Sequence, residues 1–278
     1  MRALALTAEW PVPNVAAAAV LPDGTVATVG DADAPFRIAS VAKMLVGYTM
    51  LVAVEEGTVH LDQPVGQEGC TVRHLLAHAG GYAFDGTAPI TRPGTRRIYS
   101  NTGIEMAANA LAEAADMPYG EYQFEALLQP LGMRATILHG SPAHMVSSTV
   151  SDLVRFIEEL RAPTLITAAT AQQFRTVQFP GLPGRVPGIG RFADCAWGLA
   201  TEIRGDKQPH WTGTHNSPAT FGHFGGAGTL LWVDPGTQVA CVALTDRSFD
   251  DWSTEALRRW PELSDAVLAE ALATGADA

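Results

Sequence analysis

Lysine is almost absent from this sequence. Lys43 and Lys207 are the only two lysines among 278 residues, whereas arginine occurs 16 times, and the formal net charge is -11. Binding to nucleic acid or to an anionic membrane surface requires clustered Lys and Arg. The composition therefore argues against nucleic acid and membranes as partners. It also makes a lysine that falls within a motif more informative.

Cysteine is scarce as well, and long apolar runs are missing. Cys70, Cys195 and Cys241 are odd in number and show no CxxC spacing, so we expect buried free thiols. The apolar stretch after Met1 is too short for a secretory signal, and no run approaches the roughly 20 apolar residues of a membrane-spanning helix. Free thiols and the missing signal predict a protein of the reducing cytoplasm.

The apolar patterns and turn signals predict strands near both ends of the chain and helices in the middle. The predicted elements are a hairpin over 15–29, helices over 40–56, 71–78, 102–115, 119–129 and 148–160, strands over 196–203, 227–233 and 238–245, and a last helix over 252–272. That last helix is expected to be kinked or restarted near Pro261. Segment 179–190 is rich in Pro and Gly, which predicts a loop and a domain boundary.

These elements predict an α/β (α+β) fold. An antiparallel sheet built from both termini and flanked by helices would carry a mainly helical insertion. The predicted domains are a discontinuous sheet domain of 1–39 and 190–278 and a mainly helical domain of 40–189. The active site is expected at their junction.

The first candidate site is the motif SVAK at 40–43, where the first long helix is predicted to start. Positions i and i+3 share a helix face, so the Lys43 amine can lie beside the Ser40 hydroxyl. A serine is a poor nucleophile until a base removes its proton, and a lysine can serve when burial lowers its pKa. A capping serine with a surface lysine is the alternative that this tetrapeptide leaves open.

Two further motifs, YSN at 99–101 and HFGG at 223–226, carry polar groups suited to the same chemistry. A lysine ammonium beside Tyr99 would lower the phenol pKa and allow it to relay a proton, and Asn101 could bind a substrate carbonyl or orient the lysine. The segment His223, Gly225 and Gly226 precedes a predicted strand, and its glycines would admit a substrate and leave an N–H for an oxyanion hole. Taken singly, the motifs also fit a helix cap and a tight turn.

In this order the three motifs resemble the penicillin-recognising serine hydrolases, and most closely the class C β-lactamase-related esterases and peptidases. Further similar segments are FRIA at 36–39, EGTVHLDQPV at 56–65, TVRHLLAHAGG at 71–81, LGM at 131–133 and WGL at 197–199. The resemblance covers most of residues 36–245. It implies a β-lactamase/transpeptidase-like fold with the site between a helical region and an antiparallel sheet.

The resemblance also implies a role for each matching residue. Ser40 would be the acylated nucleophile, Lys43 its general base and Tyr99 a proton relay. Asn101 would contact the acyl amide or the lysine, and the backbone N–H groups of Ser40 and Gly226 would form the oxyanion hole. Neither a cofactor nor a metal is implied.

One departure narrows the predicted chemistry. The third motif reads Lys-Thr-Gly in β-lactamases and penicillin-binding proteins, whereas His223 and Phe224 stand here. Histidine is mostly neutral near neutral pH, so a fixed cation facing a substrate carboxylate is lost. We therefore expect a carboxylesterase-like hydrolase of small esters. A β-lactamase, a D-amino-acid amidase or peptidase, an acyltransferase of this family and a non-catalytic ligand-binding protein stay open, as does the oligomeric state.

Other histidines allow competing interpretations. His74 and His78 have the i, i+4 spacing of a helical metal pair, but no HExxH glutamate lies between them. The loop that holds His210, Trp211 and His215 could form a lid over the acyl pocket or have no function. No GxSxG motif occurs, which disfavours the α/β-hydrolase fold.

Overall fold

The computed structural model describes residues 1–276. The strands of its largest sheet are β1 (Val15–Val20), β2 (Val26–Val29), β8 (Glu202–Ile203), β9 (Phe221–Gly225), β10 (Thr229–Asp234) and β11 (Val239–Thr245). Within the described range this sheet has six strands in the order β2-β1-β11-β10-β9-β8, and all neighbours are antiparallel. The first two strands come from the N-terminal hairpin and the others from the last third of the chain. The predicted antiparallel sheet built from both ends is therefore confirmed.

Helices dominate the middle of the chain. The α-helices are α1 (Ala42–Glu55), α2 (Val72–Leu76), α3 (Asn101–Ala115), α4 (Tyr119–Gln123), α5 (Val150–Arg161), α6 (Ala168–Phe174) and α7 (Ser253–Ala276). The shorter strands are β3 (Phe36–Arg37), β4 (Ile137–Leu138), β5 (Val146–Ser148), β6 (Gly184–Val186) and β7 (Gly190–Phe192). A 3₁₀ turn precedes α1, and a π turn at Phe124–Leu128 continues α4.

Both faces of the large sheet are buried. Successive side chains of a strand point to opposite faces, and those of β1, β10 and β11 divide accordingly between two apolar clusters. Val242 and Leu244 share one cluster with α1 and α5, whereas Cys241 and Trp232 share the other with α7. Because both faces are covered, the central strands are almost continuously apolar. The division into a sheet domain and a helical domain at 39/40 and 189/190 stays a prediction.

The third sequence motif precedes β10, as predicted, but it also forms the end of an additional strand, β9. His223 belongs to β9, which pairs with both β8 and β10, and a turn at Gly226–Gly228 joins β9 to β10. The sequence prediction missed β9 because its glycines lower strand propensity. They are tolerated here because Gly222 and Gly225 lie where a side chain would collide with neighbouring backbone.

Three other predicted boundaries were wrong. Only Glu202–Ile203 of the strand predicted at 196–203 is regular, and the predicted loop at 179–190 contains β6, the whole turn at 187–189 and the first residue of β7. The final helix continues through Pro261 without a restart. Trp260 and Leu263, on either side of that proline, are fully buried, so tertiary packing outweighs the lost hydrogen bond.

Candidate active site

Ser40 lies in the 3₁₀ turn Ala39–Val41, immediately before α1. Ala39 has a φ of 46°, a left-handed conformation that costs a non-glycine residue about 1–3 kcal/mol. The Thr229 hydroxyl donates to Ile38 O at 2.9 Å and ties this strained turn to the sheet. The N-cap of α1 is Val41, so Ser40 is not the helix cap that the sequence predicted. Its hydroxyl is therefore available for another partner.

Lys43 is completely buried beside Ser40. Its Nζ lies 3.2 Å from Ser40 Oγ, 2.7 Å from Asn101 Oδ1 and 2.9 Å from Ala143 O. The Asn101 amide is oriented by a second hydrogen bond, in which Nδ2 donates to Asp85 at 3.3 Å. Of the two contacts predicted for Asn101, the structure shows the one to the lysine.

Burial lowers the pKa of Lys43 from 10.5 to about 7. The carboxylates of Glu105 and Asp85 act in the opposite direction and raise this pKa, but they do not offset the loss of hydration. Near neutral pH the amine is therefore divided between its charged and neutral forms. This is the protonation behaviour that a general base requires.

Tyr99 and His223 form a hydrogen-bonded pair next to Ser40. Tyr99 Oη lies 3.3 Å from His223 Nε2, and His223 Nδ1 lies 2.6 Å from Phe224 O. The carbonyl can only accept, so Nδ1 carries the imidazole proton. Burial, and secondarily the charge of Lys43, lowers the pKa of His223 to about 3, so the ring is neutral and its Nε2 accepts the Tyr99 proton. The expectation of a neutral histidine in the third motif agrees with this geometry.

The expected lowering of the Tyr99 pKa was wrong. Burial raises the pKa of this phenol, and its hydrogen bond with Ser40 offsets only part of the increase. Lys43 does lie 4.9 Å from the centre of the Tyr99 ring, but the amine loses its charge near neutral pH. Tyr99 is therefore a neutral phenol across the physiological range.

Gly225 and Gly226 have different structural roles. A Cβ atom on Gly225 would lie 2.4 Å from Thr229 Oγ1 and 2.5 Å from Ile38 O, so only glycine lets β9 pack against the turn that carries Ser40. Gly226 has open space at the corresponding position. Among the described residues, neither Ser40 N–H nor Gly226 N–H has a hydrogen-bond partner. Both groups therefore lack a partner, which the oxyanion hole implied by the resemblance requires.

Ser40 and Gly226 open into a cavity of about 200 Å³. Its other walls are mostly aromatic or apolar and include Phe84, Tyr99, Val186, Trp197, Phe224 and Phe249. A cavity of about 150 Å³ holds benzene, so this one can enclose a small acyl group. A small group bound at Ser40 would therefore lie largely among apolar side chains.

His78 packs against Tyr99, a contact that was not predicted from the sequence. Its ring centre lies 4.6 Å from that of Tyr99 and 4.6 Å from that of Trp197, and its Nδ1 accepts from Ser100 N–H at 3.2 Å. The alternative of a helical metal pair was wrong, because α2 ends at Leu76 and His78 has a φ of 55°. Residues 1–276 hold no group of three His, Cys, Asp or Glu suited to a metal ion.

The loop after β8 is not a lid. His210 and Trp211 are buried behind β9, while His215 is exposed. Glu202 lies 3.4 Å from Lys207 Nζ and 3.3 Å from His210 Nε2, and it accepts from Trp211 Nε1 at 2.8 Å. This buried network borders the Ser40 cavity through Glu202. Because lysine is rare in this sequence, Lys207 could have been identified from the sequence as a residue of interest.

Comparisons with known proteins agree with this geometry. The beta-lactamase family model matches residues 12–263. A crystal structure of a beta-lactamase (Mb2281c) from Mycobacterium bovis is 48% identical, covers 97% of this chain and 99% of that one, and has a TM-score of 0.94. EstCE1, a hydrolase with promiscuous acyltransferase activity, has the same fold at 17% identity, with a TM-score of 0.76 and coverage of 96% of this chain and 97% of that one.

A curated relative matches over a shorter range. D-alanyl-D-alanine-carboxypeptidase/endopeptidase AmpH of Escherichia coli K12 is 26% identical over 40% of this chain, and the match spans only 38% of AmpH. Within residues 1–276, none of the helices combines the length and hydropathy needed to cross a bilayer. The family match over residues 12–263 and the 48% identical structure show that the chain belongs to the β-lactamase family of serine hydrolases.

Proposed function

We propose that this protein is a carboxylesterase-like hydrolase that forms an acyl-enzyme on Ser40 and cleaves small esters. The observation that carries the proposal is the environment of Lys43. Two carbonyl oxygens, of Asn101 and Ala143, lie 2.7 and 2.9 Å from its Nζ, and Ser40 Oγ lies 3.2 Å away. A neutral amine has two N–H groups and one lone pair. With both N–H groups donated to the carbonyls, the lone pair is left to Ser40.

The acylation step follows from that arrangement. Lys43 Nζ takes the Ser40 Oγ proton as Oγ bonds to the ester carbonyl carbon, and the carbonyl oxygen becomes an oxyanion held by the N–H groups of Ser40 and Gly226. When the tetrahedral intermediate collapses, the bond to the alkoxy oxygen breaks. That oxygen receives a proton from Lys43 through Tyr99, and the alcohol leaves. Water then repeats these steps on the acyl-enzyme and regenerates the free Ser40 hydroxyl.

Two features support esters over penicillins as substrates. The residue in the third motif is the buried His223, whose pKa is lowered to about 3, so it offers no cation to a substrate carboxylate at the reacting centre. The walls of the Ser40 cavity are mostly apolar. We place the enzyme in the cytoplasm, in support of which Cys70, Cys195 and Cys241 are buried free thiols.

The test compares the wild type with Ser40→Ala on three probes: p-nitrophenyl acetate, nitrocefin and a fluorophosphonate. We expect ester turnover and covalent labelling that both vanish in the variant, and slow or no nitrocefin turnover. A wild type that is neither labelled nor active on the ester would favour the non-catalytic binding protein. Fast nitrocefin hydrolysis would instead identify a β-lactamase. A D-alanyl amide is assayed in parallel, and its rapid hydrolysis would identify an amidase in place of an esterase.

A further inference from the structure

A second, larger cavity adjoins the Ser40 site. It measures about 770 Å³ and lies between the segment 84–99 and the hairpin formed by β6 and β7. Four wall residues, Phe84, Tyr99, Pro187 and Gly188, are shared with the Ser40 cavity. A substrate whose ester group lies at Ser40 can therefore extend into this groove without leaving the protein.

The groove is lined by arginine and by no acidic residue. Its four arginines are Arg96, Arg97, Arg185 and Arg191. Arg97 is buried and donates to four backbone carbonyls, so it is part of the framework. The other three side chains are exposed, and within residues 1–276 they have neither a hydrogen bond nor an ion pair. In a chain with a net charge of -11, this is a local excess of unpaired positive charge.

Folding does not explain the placement of two of these arginines. Arg185 and Arg191 are directly opposite each other in the antiparallel register of β6 and β7. Like charges at opposed positions destabilise a two-stranded ribbon. An anion between the two guanidinium groups would replace that repulsion with charge-assisted hydrogen bonds. The hairpin is thus better suited to a bound anion than to an empty groove.

The groove also has an apolar wall. Phe84 and Ile90 line it and are 50% and 58% exposed, which is unusual for large apolar side chains. A comparable cavity on the other side of Gly226 is lined by Arg37 together with Asp31 and Asp246, so its charges are mixed. Of these two cavities, only the groove beside Tyr99 combines free cations with exposed apolar surface.

We infer that this groove binds the anionic group, a carboxylate or a phosphate, of an amphipathic ester whose scissile bond lies at Ser40. The inference rests on the proposed esterase function and narrows its substrate class. It also assigns to other residues the positive charge that the third motif lacks. The positive charge is supplied by the β6–β7 hairpin and Arg96, away from the carbonyl under attack, and not by the residue at position 223.

Matched esters test the inference. The substrates are p-nitrophenyl butyrate, its analogue with a terminal carboxylate on the acyl chain, and aryl acetates that carry a neutral, carboxylate or phosphate group on the ring. We expect the wild type to prefer one anionic series over its neutral partner, with a preference that shrinks as salt increases. A preference within the acyl-chain esters or within the aryl esters shows which side of the ester enters the groove. The carboxylate and phosphate aryl esters show which of the two anions is bound.

The variant is Arg185→Gln/Arg191→Gln, with the exposed Arg134→Gln as matched control. The double variant should raise KM for the preferred anionic ester about tenfold and leave the neutral ester unchanged. Its Tm should not fall, because a like-charge pair is removed. Equal kinetics on neutral and anionic esters in the wild type would overturn the inference, as would an equal loss on both ester types in the double variant.

A binding measurement keeps this test independent of turnover. Calorimetric titration of Ser40→Ala with glutarate and with inorganic phosphate should show binding that the added arginine substitutions abolish. If no ester is hydrolysed and an anion still binds through these arginines, the esterase proposal fails and the anion site stands. If neither anion binds and no ester preference exists, the anion site fails by itself.

Discussion

Lys43 donates a 2.7 Å hydrogen bond to Asn101 Oδ1, which is shorter than its 3.2 Å contact with Ser40 Oγ. The amide cannot rotate to present its nitrogen, because Nδ2 is held by Asp85. Asn101 therefore fixes the direction of the amine and leaves its lone pair facing the serine. The protonation of Lys43 then depends on burial and on nearby carboxylates, and these can be changed singly.

The first prediction concerns the pH profile. Lys43 must be neutral to accept a proton, and its pKa is lowered to about 7, so kcat/KM for a neutral ester should rise with pH and level off above that value. Below the midpoint the rate should fall about tenfold per pH unit. The pKa values of His223, lowered to about 3, and of Tyr99, raised by burial, lie outside this window. A flat profile through neutral pH would exclude Lys43 as the base.

Two substitutions should move that midpoint in opposite directions. Glu105 raises the pKa of Lys43, so Glu105→Gln should shift the midpoint to lower pH. Asn101→Asp introduces a carboxylate at the 2.7 Å contact and should shift it to higher pH, with lower activity at neutral pH. Initial rates between pH 5 and 9 measure both shifts. Equal or same-sign shifts would contradict this electrostatic account.

The third prediction separates the two glycines. Gly225→Ala forces a Cβ atom to within 2.5 Å of Ile38 O, and we expect it to lower the free energy of unfolding by about 1–3 kcal/mol and to displace the Ser40 turn. Gly226→Ala meets no atom within 4 Å and is the matched control. Urea unfolding and fluorophosphonate labelling rates measure the two effects. Equal stability of the two variants would show that the contact between β9 and this turn is loose.

The fourth prediction concerns the third motif. His223→Gln keeps an acceptor for the Tyr99 hydroxyl, whereas His223→Lys removes the acceptor and adds a charge close to Lys43. We expect the lysine variant to lose about tenfold or more of its ester kcat/KM and to shift the pH midpoint lower, and the glutamine variant to lose less. The ratio of nitrocefin to ester turnover should rise only in the lysine variant. An unchanged ratio would mean that position 223 does not determine selectivity for carboxylates.

The fifth prediction concerns the buried Glu202. Burial raises its pKa, but Lys207 and then His210 outweigh burial and lower it from 4.5 to about 2. Because the folded-state pKa lies below the unfolded one, this carboxylate stabilises the fold above about pH 4.5, and that stabilisation is lost as the pH falls toward 2. Glu202→Gln should therefore reduce the loss of folding stability that occurs as the pH falls from 4.5 to about 2. Thermal unfolding between pH 2 and 6 measures this change.

Removal of Lys207, the partner of Glu202, should lower the free energy of unfolding. Lys207→Met removes the buried cation 3.4 Å from Glu202, and we expect the free energy of unfolding to fall by about 3–5 kcal/mol. Adding Glu202→Gln should restore most of that loss. Arg258→Met removes an exposed partner of Glu262 and serves as control, with an expected change below about 1 kcal/mol. Additive losses in the Lys207/Glu202 pair would show that the two charges do not interact.

Local patterns were enough to predict the strands and helices whose apolar period is regular. Strands β1 and β11 agree with prediction because their apolar residues alternate between two covered faces, and β2 shows the partly exposed alternation of an edge strand. Strand β9 and the hairpin of β6 and β7 were missed, because glycine, proline and arginine predict loops unless a neighbouring strand supplies the hydrogen bonds. Pairing of this kind is not encoded in a short sequence window.

The candidate site shows the same limit. The order of the motifs placed Ser40, Lys43, Tyr99 and Asn101 in one site, and the structure brings them into contact. The protonation of Tyr99 was predicted with the wrong sign, because the effect of burial depends on distant parts of the chain such as Trp197 and His78. The order of the motifs indicates which groups meet in the folded protein. It does not give the dielectric environment in which they meet.

Both lysines of this protein are buried, Lys43 completely and Lys207 with 2% of its surface exposed. The folded surface consequently presents no lysine amine to acylating or crosslinking reagents. Lys43, with its pKa near 7, is largely uncharged in mildly alkaline buffer, and its Nζ lies 3.2 Å from the Oγ of Ser40, which lines the cavity. On the proposed function, an activated ester small enough to enter that cavity would acylate Ser40 without competition from a surface lysine, so a general acylating reagent becomes a probe of the active serine.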